Sequence, residues 1–132
     1  MKLQYITNLD RKKLGANKDK IIIEVVILTD ERLYEHILLF HRDEYKQLRP
    51  YIKDIIDNPD YIVEDNKHED TMIYLKKIDD IEKNGRVVVK LALGNDFEHT
   101  KNSIIILMKL NKRTWNQTIK NRWQIIWKNK KF

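Results

Sequence analysis

The chain contains no cysteine. That excludes disulfides, thiolate zinc sites and a cysteine nucleophile, and it fits a reducing compartment. Glycine and proline are scarce too, at three and two in 132 residues, so long disordered linkers are not expected. The longest apolar stretches, Val87–Leu93 (broken by Lys90) and Ile104–Met108, fall far short of the roughly 20 residues of a membrane-spanning helix. Met1-Lys2-Leu3-Gln4-Tyr5, with a charged stretch from Asp10, does not read as a secretory leader, so the expected location is the cytoplasm. A Gly-rich phosphate loop, GxSxG, HExxH and paired CxxC are all missing, which removes their chemistries. Carboxylates such as Asp65, Glu69, Asp70, Asp79 and Asp80 gather near turns, where solvation explains them, and no two-metal spacing stands out.

What is present fits one domain over residues 1–132: 42% of the side chains are hydrophobic and 35% charged, enough for a core under a charged surface. The net charge of +6 is unevenly spread. Residues 101–132 hold nine Lys and Arg and no Asp or Glu, and the remaining 17 basic and 20 acidic side chains leave residues 1–100 at −3. The basic third also carries Trp115, Trp123 and Trp127. Basic and aromatic side chains interleaved suit phosphate contact with base stacking. A solvated terminal helix whose tryptophans enter the core explains the same pattern.

Periodicity organises the rest. Residues 1–20 are polar and expected to be loosely ordered. The β-branched run Ile21–Leu28 predicts a buried strand. Thr29 or Asp30 is a helix cap, followed by helices over about Glu31–Phe40 and Asp43–Asp57, with Pro50 as a kink. Asn58-Pro59-Asp60 is a stop. Strands are predicted at Tyr61–Glu64, Thr71–Ile78, Arg86–Leu93 and Ser103–Leu110, with Asn84-Gly85 as a tight turn. Lys112–Asn121 reads as a short helix and Gln124–Trp127 as an edge strand or its continuation. Helices first and a strand meander after them predict an α+β fold.

Four histidines are available: His36, His41, His68 and His99. On an ideal helix His36 and His41 lie about 140° apart, on opposite edges of the stripe formed by Leu33, Ile37 and Phe40. That spacing suits no shared metal, but an imidazole near neutral pH is a natural general acid or base. Lys90 interrupts a valine strand, and alternation puts it with Val88 and Ala92, opposite Val87, Val89 and Leu91. It faces either solvent or an anion site. Thr71 and Ser103 begin neighbouring strands and offer hydroxyls at the same mouth, and Asn102 is a further phosphate ligand or cap.

The stretch Val26-Ile27-Leu28-Thr29-Asp30-Glu31-Arg32-Leu33-Tyr34-Glu35-His36-Ile37, the second histidine His41, the stop Asn58-Pro59-Asp60-Tyr61-Ile62, the strand Val87–Lys90 and the start Asn102-Ser103-Ile104-Ile105 come in a fixed order. Together they resemble phage-type nucleases of the barnase/EndoU/colicin/RelE-like superfamily over about residues 22–127. Arg42 stands where many relatives carry Pro, and Ile106 where many carry Thr. The resemblance implies N-terminal helices packed on a central antiparallel sheet, and metal-independent RNA cleavage without a cofactor on the exposed sheet face. It also implies a prophage or toxin setting, in which the protein acts in its own or a target cell's cytoplasm and meets an immunity or antitoxin protein. On that basis His41 is expected as general acid/base with His36 as second imidazole or orienter. Lys90 would stabilise the phosphate, and Ser103, Asn102 and Thr71 would position it. Lys109, Lys112, Arg113, Lys120 and Arg122 would hold the RNA, tRNA being one candidate. A non-catalytic RNA-binding module of the same fold is the alternative.

Overall fold

The computed structural model describes residues 2–65, 70–92, 101–120 and 124–131. Seven strands form one sheet in the order β1-β2-β6-β5-β4-β3-β7. They are β1 (Leu3–Asn8), β2 (Val25–Thr29), β3 (Tyr61–Glu64), β4 (Thr71–Ile78), β5 (Lys83–Lys90), β6 (Asn102–Leu110) and β7 (Ile125–Lys128). The fold is mixed α+β. One pairing departs from the antiparallel expectation: β2 runs parallel to β6, through Val26↔Asn102 and Ile27↔Ser103.

Between β2 and β3 the chain is helical almost throughout. Thr29 caps the start, its hydroxyl accepting from the backbone N of Arg32 at 3.2 Å. Then come α1 (Asp30–Arg32), a π-turn (Leu33–Ile37), α2 (Leu38–Leu48), a 3-10 turn (Arg49–Tyr51) at Pro50, and α3 (Ile52–Asp57). Proline there removes a helical donor, so the helix tightens and restarts instead of ending. Beyond α3, Asn58 closes the helix, its backbone N donating to Asp54 O at 2.8 Å.

Alternation along the strands divides the apolar side chains between two faces. Leu48, Ile55 and Ile56 from α2 and α3 share one buried cluster with Leu28, Val87, Val89, Leu91, Ile104 and Leu107. Tyr61, Val63, Ile73, Leu75, Val88, Leu110 and Trp115 form the second. Trp115 sits on α4 (Lys112–Lys120) and meets the Tyr61 ring edge-on at 5.9 Å and 73°.

Three expectations change. The hairpin between β4 and β5 reverses at Asp79–Ile81, with Glu82 in the left-handed region at φ 52°, and not at Asn84-Gly85, which lies inside β5. Gly85 serves packing: a Cβ there would lie 2.8 Å from Ile55 Cδ1. Residues 1–20 hold the edge strand β1, paired with β2, and two 3-10 turns pinned by Arg11, which donates to Glu24 Oε1 at 2.7 Å, Lys18 O at 2.9 Å and Ile21 O at 2.7 Å. Trp115 is buried, and Trp127 packs partly buried against the first cluster under the Lys13 ammonium at 4.8 Å. These two rings are packing groups, while Trp123 lies outside the described residues.

Candidate active site

The two helical histidines sit on an irregular stretch of backbone. In the π-turn the backbone N of Leu38 donates to Leu33 O, an i→i+5 bond of the kind often found at functional sites. His41 then leaves helical geometry altogether, at φ −138° and ψ 38°. His36 and His41 line one cleft of about 200 Å³ together with Ile37 and Phe40 of the stripe between them, and with Arg32, Ile105 and Ile106. Apolar walls with two imidazoles and a guanidinium are what such a cleft offers a ligand.

The far wall is a β-bulge. Val88 pairs with Ile106 and Val89 with Ile104, leaving Ile105 unpaired. Bulges re-aim side chains and bend the strand locally. Beyond Ser103 the edge of β6 is no longer covered by β2, and Glu44 of α2 takes up part of it: Oε2 accepts from the backbone N of Lys109 at 2.5 Å. The other oxygen, Oε1, lies 3.1 Å from His41 Nδ1. An ionised carboxylate only accepts, so this contact puts a proton on Nδ1. In the neutral ring Nε2 then holds the lone pair, ready to take a proton.

Thr71, Lys90 and Ser103 occupy one cross-strand row, since Lys90 pairs with both. Thr71 is buried, the Lys90 ammonium stands 4.0 Å from Asp70 Oδ2, and Ser103 Oγ donates to Lys101 O at 3.4 Å. The next rows on that face are Ile73, Val88, Ile106 and then Leu75, Arg86, Met108. Ile106 therefore belongs both to this face and to the histidine cleft. Arg86 is half-buried, its Nη1 lies 3.9 Å from Met108 Sδ, and its Nε has no hydrogen-bond partner among the described residues. Burial draws its pKa below the usual arginine value, with Asp65 opposing. That Nε is buried from solvent, so only the outer nitrogens of this guanidinium are left to meet an anion.

Asn102 is a different case. It is fully buried, and its amide is spent on the backbone: Nδ2 donates to Ile23 O at 2.8 Å and Val25 O at 3.0 Å, and Oδ1 accepts from Ala92 N at 2.8 Å. These bonds tie β6 to the chain entering β2 and leaving β5. No donor remains for a phosphate, so Asn102 drops out of the proposed set.

Of the expected RNA contacts, Lys109 Nζ donates to Gln47 Oε1 at 3.0 Å, away from α4. Lys112, Arg113 and Lys120 line an open depression with Asn116 and Gln117 along the outward face of α4. Trp115 and Ile119 turn inward on the same helix. Arg122, His68 and His99 lie outside the described residues.

Arg32, Glu44 and Arg86 did not emerge from the sequence. Arg86 had a signal: strand alternation puts it on the face of Val88 and Lys90. Glu44 had a weaker one, three residues after His41. Among the described residues no three His, Cys, Asp or Glu side chains group as metal ligands do, and no helix is long and apolar enough to cross a membrane.

Imidazoles, a guanidinium and a basic helix face beside a sheet are groups suited to phosphodiester chemistry. Comparison with known families places the chain further: the family model described as phage-Barnase-EndoU-ColicinE5/D-RelE like nuclease2 matches residues 5–128. The chain belongs to this nuclease family, whose substrate is nucleic acid. No curated protein and no solved structure matches it.

Proposed function

We propose that the chain is an endoribonuclease that cuts RNA by transesterification, with no metal ion. The observation that carries this reading is the pair of imidazoles in one cleft, one of them held by Glu44. His41 Nε2 takes the proton from the ribose 2′-OH, the 2′ oxygen attacks phosphorus, and the P–O5′ bond breaks. His36 returns a proton to the leaving 5′ oxygen, giving a 2′,3′-cyclic phosphate and a 5′-OH end. Glu44 orients His41. Arg86 and Lys90 stabilise the phosphorane charge, with Arg32 at the cleft rim. Ser103 and Thr71 position the phosphate, and Lys112, Arg113 and Lys120 hold the RNA backbone. The helices, on this reading, buttress one sheet face and carry His36 and His41 to β6, where the RNA binds. Folded RNA such as tRNA in the cytoplasm is the proposed target, and a cognate immunity or antitoxin protein the proposed partner.

The test is incubation of total RNA and tRNA with purified protein in EDTA, comparing the parent with His41→Ala and mapping the ends. Cyclic phosphate ends that disappear in the variant are expected. Uncut RNA, or a variant as fast as the parent, refutes the reading. The basic face of α4 and Ile106 (where many relatives carry Thr) favour one second reading, a non-catalytic RNA-binding module. Salt-sensitive RNA binding without cleavage would establish it.

A further inference from the structure

We propose that Phe40 forms the stacking surface of a nucleobase subsite at the mouth of the histidine cleft. Among the exposed large apolar side chains of the described residues, Phe40 has the highest exposure, at 69%. A phenyl ring left in water has no packing role to account for it. It precedes His41 in the chain and lines the cleft with Arg32, His36, Ile37, Ile105 and Ile106.

The chemistry of this lining is mixed in a particular way. One aromatic ring and three isoleucines supply apolar walls, while a guanidinium and two imidazoles sit among them. A nucleotide has the matching halves, a planar base and an anionic phosphate. The cleft, at about 200 Å³, is smaller than the roughly 300–1,000 Å³ of pockets that enclose drug-sized ligands. It suits a fragment the size of one base, with the adjoining phosphate against the imidazoles. A phenyl face offers no hydrogen bonds, so the contact accepts any base and draws its strength from stacking. The base bound here flanks the phosphate being cut, and Phe40 thereby sets the register of the strand against His41. This inference rests on the reading of the cleft as an RNA-cutting site.

The experiment measures binding of a fluorescent single-stranded RNA with 2′-O-methyl riboses, which cannot cyclise, to the full chain and to Phe40→Ala, Phe40→Leu and Phe40→Trp. Phe40→Ala and Phe40→Leu are expected to weaken binding about 5- to 150-fold, the range for loss of one stacked base. Phe40→Trp restores it. Oligonucleotides with one abasic position, scanned along the strand, weaken binding to the parent at one site and leave Phe40→Ala unaffected there. Thermal melting of all four proteins is expected to coincide, because the ring is exposed.

Three results overturn the proposal: equal binding by Phe40→Ala, rescue by Leu as complete as by Trp, or no RNA binding by the parent. Equal binding by Phe40→Ala would leave the exposed ring to a protein partner. Parallel cleavage assays separate the two ideas. Phe40-dependent binding without cleavage keeps the subsite and removes the ribonuclease, while cleavage with Phe40-independent binding does the reverse.

Discussion

Replacing Asn102 with alanine removes three hydrogen bonds from the junction of β2, β5 and β6. The Ala92 N–H, facing a buried Asn102 side chain, loses its acceptor, as do the carbonyls of Ile23 and Val25 their donors. Each protein hydrogen bond contributes about 0.5–1.5 kcal/mol net, and a buried donor left unmade costs about 1–3 kcal/mol. Water can reach the carbonyls more readily than the amide, since Ile23 and Val25 are only half-buried and Ala92 is buried. The expected loss is therefore about 3 kcal/mol, or roughly 10–15 °C in Tm for a chain of this size. Asn102→Asp keeps the acceptor for Ala92 but sets a buried carboxylate against two carbonyls, so it should cost at least as much at pH 7 and less as the pH falls. Urea unfolding followed by circular dichroism gives the free energy, and cleavage of RNA below the variant's melting temperature gives activity per folded molecule. An Asn102→Ala protein as stable as the parent but inactive would refute the structural role and return Asn102 to the phosphate.

Other perturbations probe the site and the core. Glu44→Gln keeps one acceptor but loses the charge beside His41; it should lower kcat by about tenfold or more, within the roughly 10²–10⁴ that general acid–base catalysis provides. A kcat equal to the parent's would remove Glu44 from the mechanism. Lys112, Arg113 and Lys120 changed together to Ala should reduce the slope of log Kd against log salt by about 2, at about 0.7 per single-strand phosphate contact; an unchanged slope places the RNA elsewhere. Burial pushes the Tyr74 phenol far above its usual value. Both states hold the proton below about pH 10; above it the unfolded chain ionises first, so stability falls by up to about 1.4 kcal/mol per pH unit. Tyr74→Phe should flatten that alkaline decline in urea melts, and an equal decline in both proteins would contradict the burial.

Much of the strand pattern was readable. Tyr61–Glu64 and Thr71–Ile78 match β3 and β4 residue for residue, because β-branched runs between strong turn signals have one reading. Edge strand β1 was hidden: Leu3 and Tyr5 are exposed, so no buried period marks it. Asn84-Gly85 misled because glycine serves turns and close packing alike, and only the position of Ile55 over Gly85 decides between them. The row of Thr71, Lys90 and Ser103 followed from where strands begin. The shared cleft of His36 and His41 did not, since its far wall, Ile105 and Ile106, comes from a strand distant in the chain. Asn102 looked like a ligand because an exposed and a buried asparagine read the same in a sequence.

The parallel pairing of β2 with β6 has a consequence in time. Val26 meets Asn102, and the cleft is closed by Arg32, His36 and His41 from one part of the chain and Ile105 and Ile106 from another. Closing so large a loop is slow compared with forming a helix or hairpin. A growing polypeptide that has not yet emerged as far as β6 has its histidines but no wall to set them against. The finished cleft is thus a late product of synthesis, and a chain interrupted before that strand carries the histidines without it.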